Sequence, residues 1–182
     1  MISFHEKSVD VLYTEAELKA RIAELGKQIT EDYRDKDLVL LGVLKGSVFF
    51  LTDLAREIDL PLTIEFLGAS SYHGGTESSG EVRITTDVSK PLKGRHVLVV
   101  EDIIDTGLTM KFLLENLSAR HPASIRLCTL LEKPSRTKLP VHIDYKGFVI
   151  EDKFVVGYGL DYDEKLRNVP FIGVMKPEAI GG

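Results

Sequence analysis

The chain of 182 residues has no tryptophan, a single cysteine, and no apolar run near the roughly 20 residues that a membrane helix requires. One cysteine cannot form an intrachain disulfide, and Cys128 lies inside the apolar run Ile125–Leu131, so it reads as a buried core thiol rather than a nucleophile. The start, Met1-Ile2-Ser3-Phe4-His5-Glu6, lacks the basic stretch and long apolar segment of an export signal, which makes the cytoplasm the expected location. Positive charge is also in short supply. Twenty-three Lys and Arg against 28 Asp and Glu give a formal net charge of −5, which argues against a general affinity for nucleic acid or anionic membranes. The five histidines, at 5, 73, 96, 121 and 142, show no metal-ligand spacing, so a zinc site is not expected. No G-x-x-x-x-G-K-[ST] occurs and no G-x-G-x-x-G follows a strand, which argues against P-loop nucleotide hydrolysis and against a dinucleotide fold. There is no internal repeat or low-complexity tract. With 43% hydrophobic and 28% charged residues, the chain has the make-up of one globular domain of ordinary size.

What is present is an alternation of strand and helix patterns. Thr14-Glu15-Ala16-Glu17 forms a capping box, and Leu18, Ile22, Leu25 and Ile29 follow at helical spacing, predicting a helix near 15–33. Leu38–Leu44 is a continuous apolar run, the pattern of a strand covered on both faces in a parallel sheet. It breaks at Lys45-Gly46-Ser47 and gives way to an amphipathic stretch reaching about Ile58. Val97–Val100 repeats the logic: an apolar run, a polar turn over Glu101–Gly107, then a helix with Met110, Leu113, Leu114 and Leu117 on one face. Ile125–Leu131 is a third strand of this kind. The alternation predicts an open, mainly parallel α/β sheet. Residues 68–80, rich in Ser and Gly, read either as a disordered hairpin tip or as a lid that orders over a ligand. From Asp144 onward, short apolar pieces broken by Gly and charges suggest irregular strands.

Ligands of open α/β sheets bind beyond the carboxyl ends of the strands, where three polar turns fall: 45–47, 101–109 and 132–138. In the second, the adjacent acids Glu101 and Asp102 suit either a diol or a hydrated divalent cation. Asp105-Thr106-Gly107-Leu108-Thr109 then enters a helix, whose N-terminus, close-approaching Gly and two Thr hydroxyls favour an anion. Taken singly, these residues are also ordinary helix caps. Together they describe a binder of ribose 5-phosphate.

Val97-Leu98-Val99-Val100-Glu101-Asp102-Ile103-Ile104-Asp105-Thr106-Gly107-Leu108-Thr109-Met110 closely resembles the phosphoribosyl pyrophosphate signature of type I phosphoribosyltransferases, in the version of the hypoxanthine-guanine branch. Further likenesses follow in family order. Leu44-Lys45-Gly46 resembles the pyrophosphate loop, and Ser71-Tyr72 the mobile catalytic loop. Leu131-Glu132-Lys133 and Asp152–Tyr162 resemble base-binding segments, and Arg167 falls where the family has an arginine. The likeness runs from about residue 38 to 174.

The resemblance implies a fold and a set of roles. The fold is the type I phosphoribosyltransferase one: a single domain over 1–182, with a core at about 36–145 and a small hood from about 146–182 plus part of the N-terminus. Thr106, Gly107 and Thr109 would hold the 5′-phosphate, and Glu101 and Asp102 the ribose hydroxyls. Lys45, Gly46 and Arg167 would face pyrophosphate. In the family, the peptide matching Leu44–Lys45 can be cis. Mg2+ would be held by Asp161, with Glu101 and Asp102 as further candidates. Lys133 would donate to the purine O6, Phe154 would stack on the ring, and the Val155 carbonyl would accept from it. Asp105 would be the general base. The implied activity is Mg2+-dependent transfer of the phosphoribosyl group from phosphoribosyl pyrophosphate to N9 of hypoxanthine or guanine, giving IMP or GMP and pyrophosphate, in a homodimer or homotetramer. A xanthine-preferring transferase and a phosphoribosyl-pyrophosphate-sensing regulator on the same fold are the rivals. The net charge counts against the regulator, and nothing in the sequence points to nucleic acid or membrane as a partner.

Overall fold

The computed structural model describes residues 9–71 and 82–176. Six strands form the main sheet: β2 (Leu38–Leu44), β3 (Leu62–Ser71), β4 (Val82–Thr86), β5 (His96–Ile104), β6 (Ser124–Glu132) and β7 (Tyr145–Val149). Their order is β4-β3-β2-β5-β6-β7, and every neighbouring pair is parallel except β3 and β4. Three helices cover the sheet: α1 (Glu15–Asp32), α2 (Val48–Glu57) and α3 (Leu108–Ser118). This is the mainly parallel α/β sheet that the apolar runs predict.

The two faces of the sheet separate by residue parity. Leu38, Leu40, Leu98, Val100, Cys128 and Leu130 point into a core with Leu18, Ile22, Leu25 and Ile29 of α1 and Phe50, Leu51 and Leu54 of α2. Val39, Leu41, Val43, Val97, Val99 and Leu127 pack on the other face against Met110, Leu113 and Leu117 of α3. Coverage on both sides explains why β2 reads as unbroken apolar sequence. Cys128 is fully buried, and burial pushes its thiol well above the usual range, so it stays a neutral core side chain.

The capping box forms as predicted: the Thr14 N–H donates to Glu17 Oε2 (2.8 Å) and the Glu17 N–H to Thr14 Oγ1 (3.3 Å). Two boundaries differ from the reading of the sequence. The segment Glu101–Ile104, expected as part of a polar turn, continues β5: Glu101 pairs with Thr129, Ile103 with Leu131 and Ile104 with Glu132. The long partner strand β6 offers ladder hydrogen bonds there, and these outweigh the polarity of two side chains. Likewise, residues 68–71 belong to β3 and pair with β4 from Gly68↔Thr86 to Ser71↔Val82, so the connection expected over 68–80 begins later. Tyr72 lies outside the described residues, and of Ser71 only the strand position is described.

A second, antiparallel sheet of β1 (Val9–Tyr13), β8 (Val155–Val156) and β9 (Ile172–Met175), in order β1-β9-β8, joins the two ends of the described chain. Its own small core contains Val9, Val156 and Met175, with Tyr162, Leu166 and Phe171 packed against it. Tyr158, just after β8, donates its hydroxyl proton to Asp53 Oδ2 of α2 (2.5 Å), which ties this hood to the core.

Helices α1 and α2 approach closely at Gly26 of α1, where an added Cβ would overlap the backbone and Cβ of Glu57 at the end of α2. Gly26→Val is expected to force α1 and α2 apart and cost about 1–3 kcal/mol, seen as a lower urea midpoint with an unchanged m-value. An unaltered midpoint would show that the helices separate freely.

Candidate active site

The polar residues of the site gather where β2, β5 and β6 end. A cavity of about 230 Å³ is lined by Glu101, Asp105, Thr106, Gly107 and Thr109, with Val43, Leu44 and Ala69 forming part of its wall. Gly107 has φ 79°, in the left-handed region, and begins α3. A Cβ there would run into the Leu139 carbonyl oxygen, so both the turn and the close neighbour call for glycine. The Thr106 carbonyl accepts from the N–H groups of both Lys138 and Leu139 (3.0 Å each), clamping the loop to the segment after β6. Lys111 N–H donates to the Gly107 carbonyl (2.9 Å). The N–H groups of Thr109 and Met110 precede that bond, have no intrahelical acceptor, and are available to an anion at the positive end of the helix.

Glu101 is 9% exposed, and its carboxyl is held well above the usual carboxylate range, by burial first and then by the neighbouring Asp102. Asp102 Oδ1 accepts from the Ile103 N–H (2.8 Å), and its carboxylate lies where any side chain at Gly46 would have to go. Gly46 is also closed in from the opposite side, since a Cβ at Gly159 (φ 105°) would strike the Gly46 carbonyl oxygen. The 45–47 turn is thus wedged between β5 and the hood. The Leu44–Lys45 peptide is cis, as the resemblance implies it can be. Ser47 spends its hydroxyl on the Val43 carbonyl (2.7 Å), which folds the turn back on β2.

Lys45, Asp161 and Arg167 come together across this wedge. Arg167 donates Nη1 to the Gly159 carbonyl (2.8 Å) and pairs Nη2 with Asp161 Oδ1 (2.9 Å). Asp161 Oδ2 accepts from the Glu164 N–H (2.9 Å). The Glu164 side chain, which the sequence reading passed over, reaches both Lys45 Nζ (2.7 Å) and Arg167 Nη2 (3.2 Å).

On the other flank, Lys133 is buried to 8% exposure with its Nζ 3.7 Å from Asp152 Oδ1. Arg136, in the one-turn helix Pro134–Arg136, lies between Asp152 (3.7 Å) and Asp105 (3.2 Å). Lys133, Asp152, Arg136 and Asp105 therefore form a row of alternating charge. Arg136 was not singled out from the sequence, and Asp152 entered only as the first residue of the segment that resembles a base-binding one, without a role of its own. Phe154 is 52% exposed and meets Tyr162 edge-on (ring centroids 5.9 Å, interplanar angle 87°), which leaves ring surface open. Val155 is buried in β8, paired with Val174.

A glycine loop at a helix start, two acids at the preceding strand end, and Lys45 facing Arg167 of the hood through Glu164 are what a phosphoribosyltransferase requires at its strand ends. The family model for the phosphoribosyl transferase domain matches residues 8–163, and the chain belongs to that family. Among its relatives, a hypoxanthine-guanine phosphoribosyltransferase of Mycobacterium avium is 53% identical over 173 residues, covering 92% of this chain and 85% of the relative. One from Staphylococcus aureus (strain Mu50) is 48% identical over 174 residues, covering 96% and 97%. The crystal structure of a Staphylococcus aureus hypoxanthine phosphoribosyltransferase superposes with a TM-score of 0.95 at 46% identity, each chain covered in full. Within the family, the chain is an enzyme of pentosyl transfer in the hypoxanthine(-guanine) phosphoribosyltransferase group.

The buried Glu101 yields a stability prediction. As pH rises past the ordinary glutamate range, the unfolded chain ionises while folded Glu101 resists, so this residue subtracts stability through that window and beyond. Glu101→Gln removes the cost. Its melting temperature at pH 7 is expected to rise by on the order of 2–4 °C, the shift that about 1 kcal/mol gives a domain of this size. A fall would mean that the carboxylate is satisfied by partners.

Proposed function

We propose that the enzyme transfers the phosphoribosyl group of phosphoribosyl pyrophosphate to N9 of hypoxanthine or guanine, giving IMP or GMP and pyrophosphate, in purine salvage. The observation that supports this is the row Lys133–Asp152–Arg136–Asp105, in which a buried lysine and a carboxylate of the 105–109 loop belong to one chain of ion pairs. A buried lysine donor suits an oxygen at position 6 and mismatches the amino group of adenine, a kind of mismatch that can discriminate by about 10⁴.

In this reading, the 5′-phosphate sits on the amides and hydroxyls of Thr106, Gly107 and Thr109, with the ribose hydroxyls toward Glu101 and Asp102. Lys45, Gly46 and Arg167 meet the diphosphate, the planar guanidinium suiting its oxygens. Phe154 offers its open ring to the purine face, and the Val155 carbonyl accepts from the base. As N9 forms its bond to the anomeric carbon, the bond to the diphosphate oxygen breaks and its electron pair leaves with pyrophosphate. Asp105 takes the proton from N7, and Arg136 keeps that carboxylate oriented. Ser71 and Tyr72 belong to the segment expected to exclude water.

The donor set fits Mg2+: Asp102 and Asp161 offer hard oxygens from separate elements, and an ion of this kind completes its shell with waters and phosphate oxygens. Asp161, with Glu101 and Asp102 as further candidates, would hold it, and it would supply neutralisation of the departing diphosphate. The proposal extends to a homodimer or homotetramer in the cytoplasm.

An assay with hypoxanthine, guanine, xanthine and adenine, with and without Mg2+, tests the whole reading. Turnover of hypoxanthine or guanine that stops on chelation is expected; xanthine preference would move the specificity elsewhere. Asp105→Asn is expected to lower kcat by about 10²–10⁴ while IMP binding survives, and an unchanged kcat would remove Asp105 from the chemistry. Lys133→Ala is expected to raise KM for the base far more than KM for phosphoribosyl pyrophosphate. Normal guanine affinity in that variant would refute the base-pocket assignment.

A further inference from the structure

The loop after Asp161 places a further acid on the two cations that the proposed function assigns to the diphosphate. Tyr162 and Lys165 exchange both backbone hydrogen bonds (3.0 Å each), leaving Asp163 and Glu164 as a two-residue hairpin turn. Both have positive φ, 50° and 60°, as the tight turns between twisted strands demand, although neither is glycine. The turn aims Glu164 back across the site. One carboxylate oxygen, Oε2, lies 2.7 Å from Lys45 Nζ, and the other, Oε1, lies 3.2 Å from Arg167 Nη2. Lys45 and Glu164 are 119 residues apart in sequence, so this is a tertiary contact and not a local pairing. The Lys45 contact is the leading reason that the Glu164 carboxyl is held below the usual carboxylate range.

A carboxylate with one oxygen on each of two cations makes the contacts that two oxygens of a diphosphate would make there. We infer that Glu164 is a built-in competitor for the diphosphate subsite, neutralising Lys45 and Arg167 until the diphosphate of the substrate or product displaces it. The inference rests on the proposed assignment of those two cations to the diphosphate. Of the four charged groups that meet here, Lys45 and Arg167 are positive while Asp161 and Glu164 are negative. Displacing Glu164 frees one charge equivalent of the cations, and Asp161 remains on Arg167. Glu164 therefore weakens diphosphate binding and speeds release of pyrophosphate, since its carboxylate can return to the cations as the product departs.

A role in merely arranging Lys45 and Arg167 predicts the opposite sign, because losing an organising group weakens ligand binding. Titration calorimetry of pyrophosphate with Mg2+ into the full-length enzyme decides between them. Glu164→Ala and the isosteric Glu164→Gln are expected to bind pyrophosphate about three- to tenfold more tightly than the wild type, as fits the loss of two ion pairs made by an exposed carboxylate. KM for phosphoribosyl pyrophosphate is expected to fall with it. Equal or weaker binding by both variants overturns the inference; should the alanine variant fold poorly, the glutamine variant alone decides. Lys45→Ala, measured alongside, is expected to bind pyrophosphate more weakly than the wild type. If it binds equally well, the assignment of Lys45 to the diphosphate fails, whatever Glu164 does.

Discussion

Strands β2, β5 and β6 lie side by side in the middle of a parallel sheet, with helices closing both faces and ladder hydrogen bonds closing both edges. Polar side chains on such strands gather at the ends, and Thr129 within β6 is kept satisfied by donating to the Leu131 carbonyl, because an unpaired polar atom between sheet and helix would cost several times what a satisfied one returns. Parallel direction then sends the three ends to one side. The turn 45–47, the loop 105–109 and the segment 133–139 are neighbours for that reason, although nearly 100 residues of chain separate the first from the last. Everything chemical in the molecule depends on this placement.

The hood completes what the sheet cannot supply. Its chain returns over the strand ends and makes contact through glycines at 46 and 159, each lying against a group that leaves no room for a side chain. That close approach carries Asp161, Glu164 and Arg167 to Lys45. The result has two flanks of different character. On one, cations and carboxylates share partners across a solvent-facing wedge; on the other, Lys133 is buried and its charge is answered by Asp152, which also pairs with Arg136. A mobile, highly charged substrate portion suits the first flank, and a flat base that must be distinguished by one oxygen suits the second.

Most of the scaffold was legible in the sequence because its elements obey local rules. The capping box at Thr14, the helical spacing of α1 and the apolar runs of β2 and β6 are each set by neighbours in the chain. The loop Asp105–Thr109 was legible too, since a helix start with Gly and Thr has a chemistry of its own. The extension of β5 through Glu101 and Asp102 was not, because it depends on β6 offering hydrogen bonds more than 25 residues away. The partners Arg136, Asp152 and Glu164 were hidden for the same reason: a surface charge shows its use only once the fold brings its opposite within reach. The alternatives left open for residues 68–80 narrow at one end, where 68–71 form strand.

In the proposed function, the strand ends, and above all the loop Asp105–Thr109, hold the phosphoribosyl group. Hydrogen exchange of the backbone amides with saturating IMP tests it most directly. Protection is expected to rise at Thr106–Met110, while the amides near Asp144 at the far end of the sheet exchange as before. Protection at the far end with none at Thr106–Met110 would remove the phosphoribosyl group from that loop.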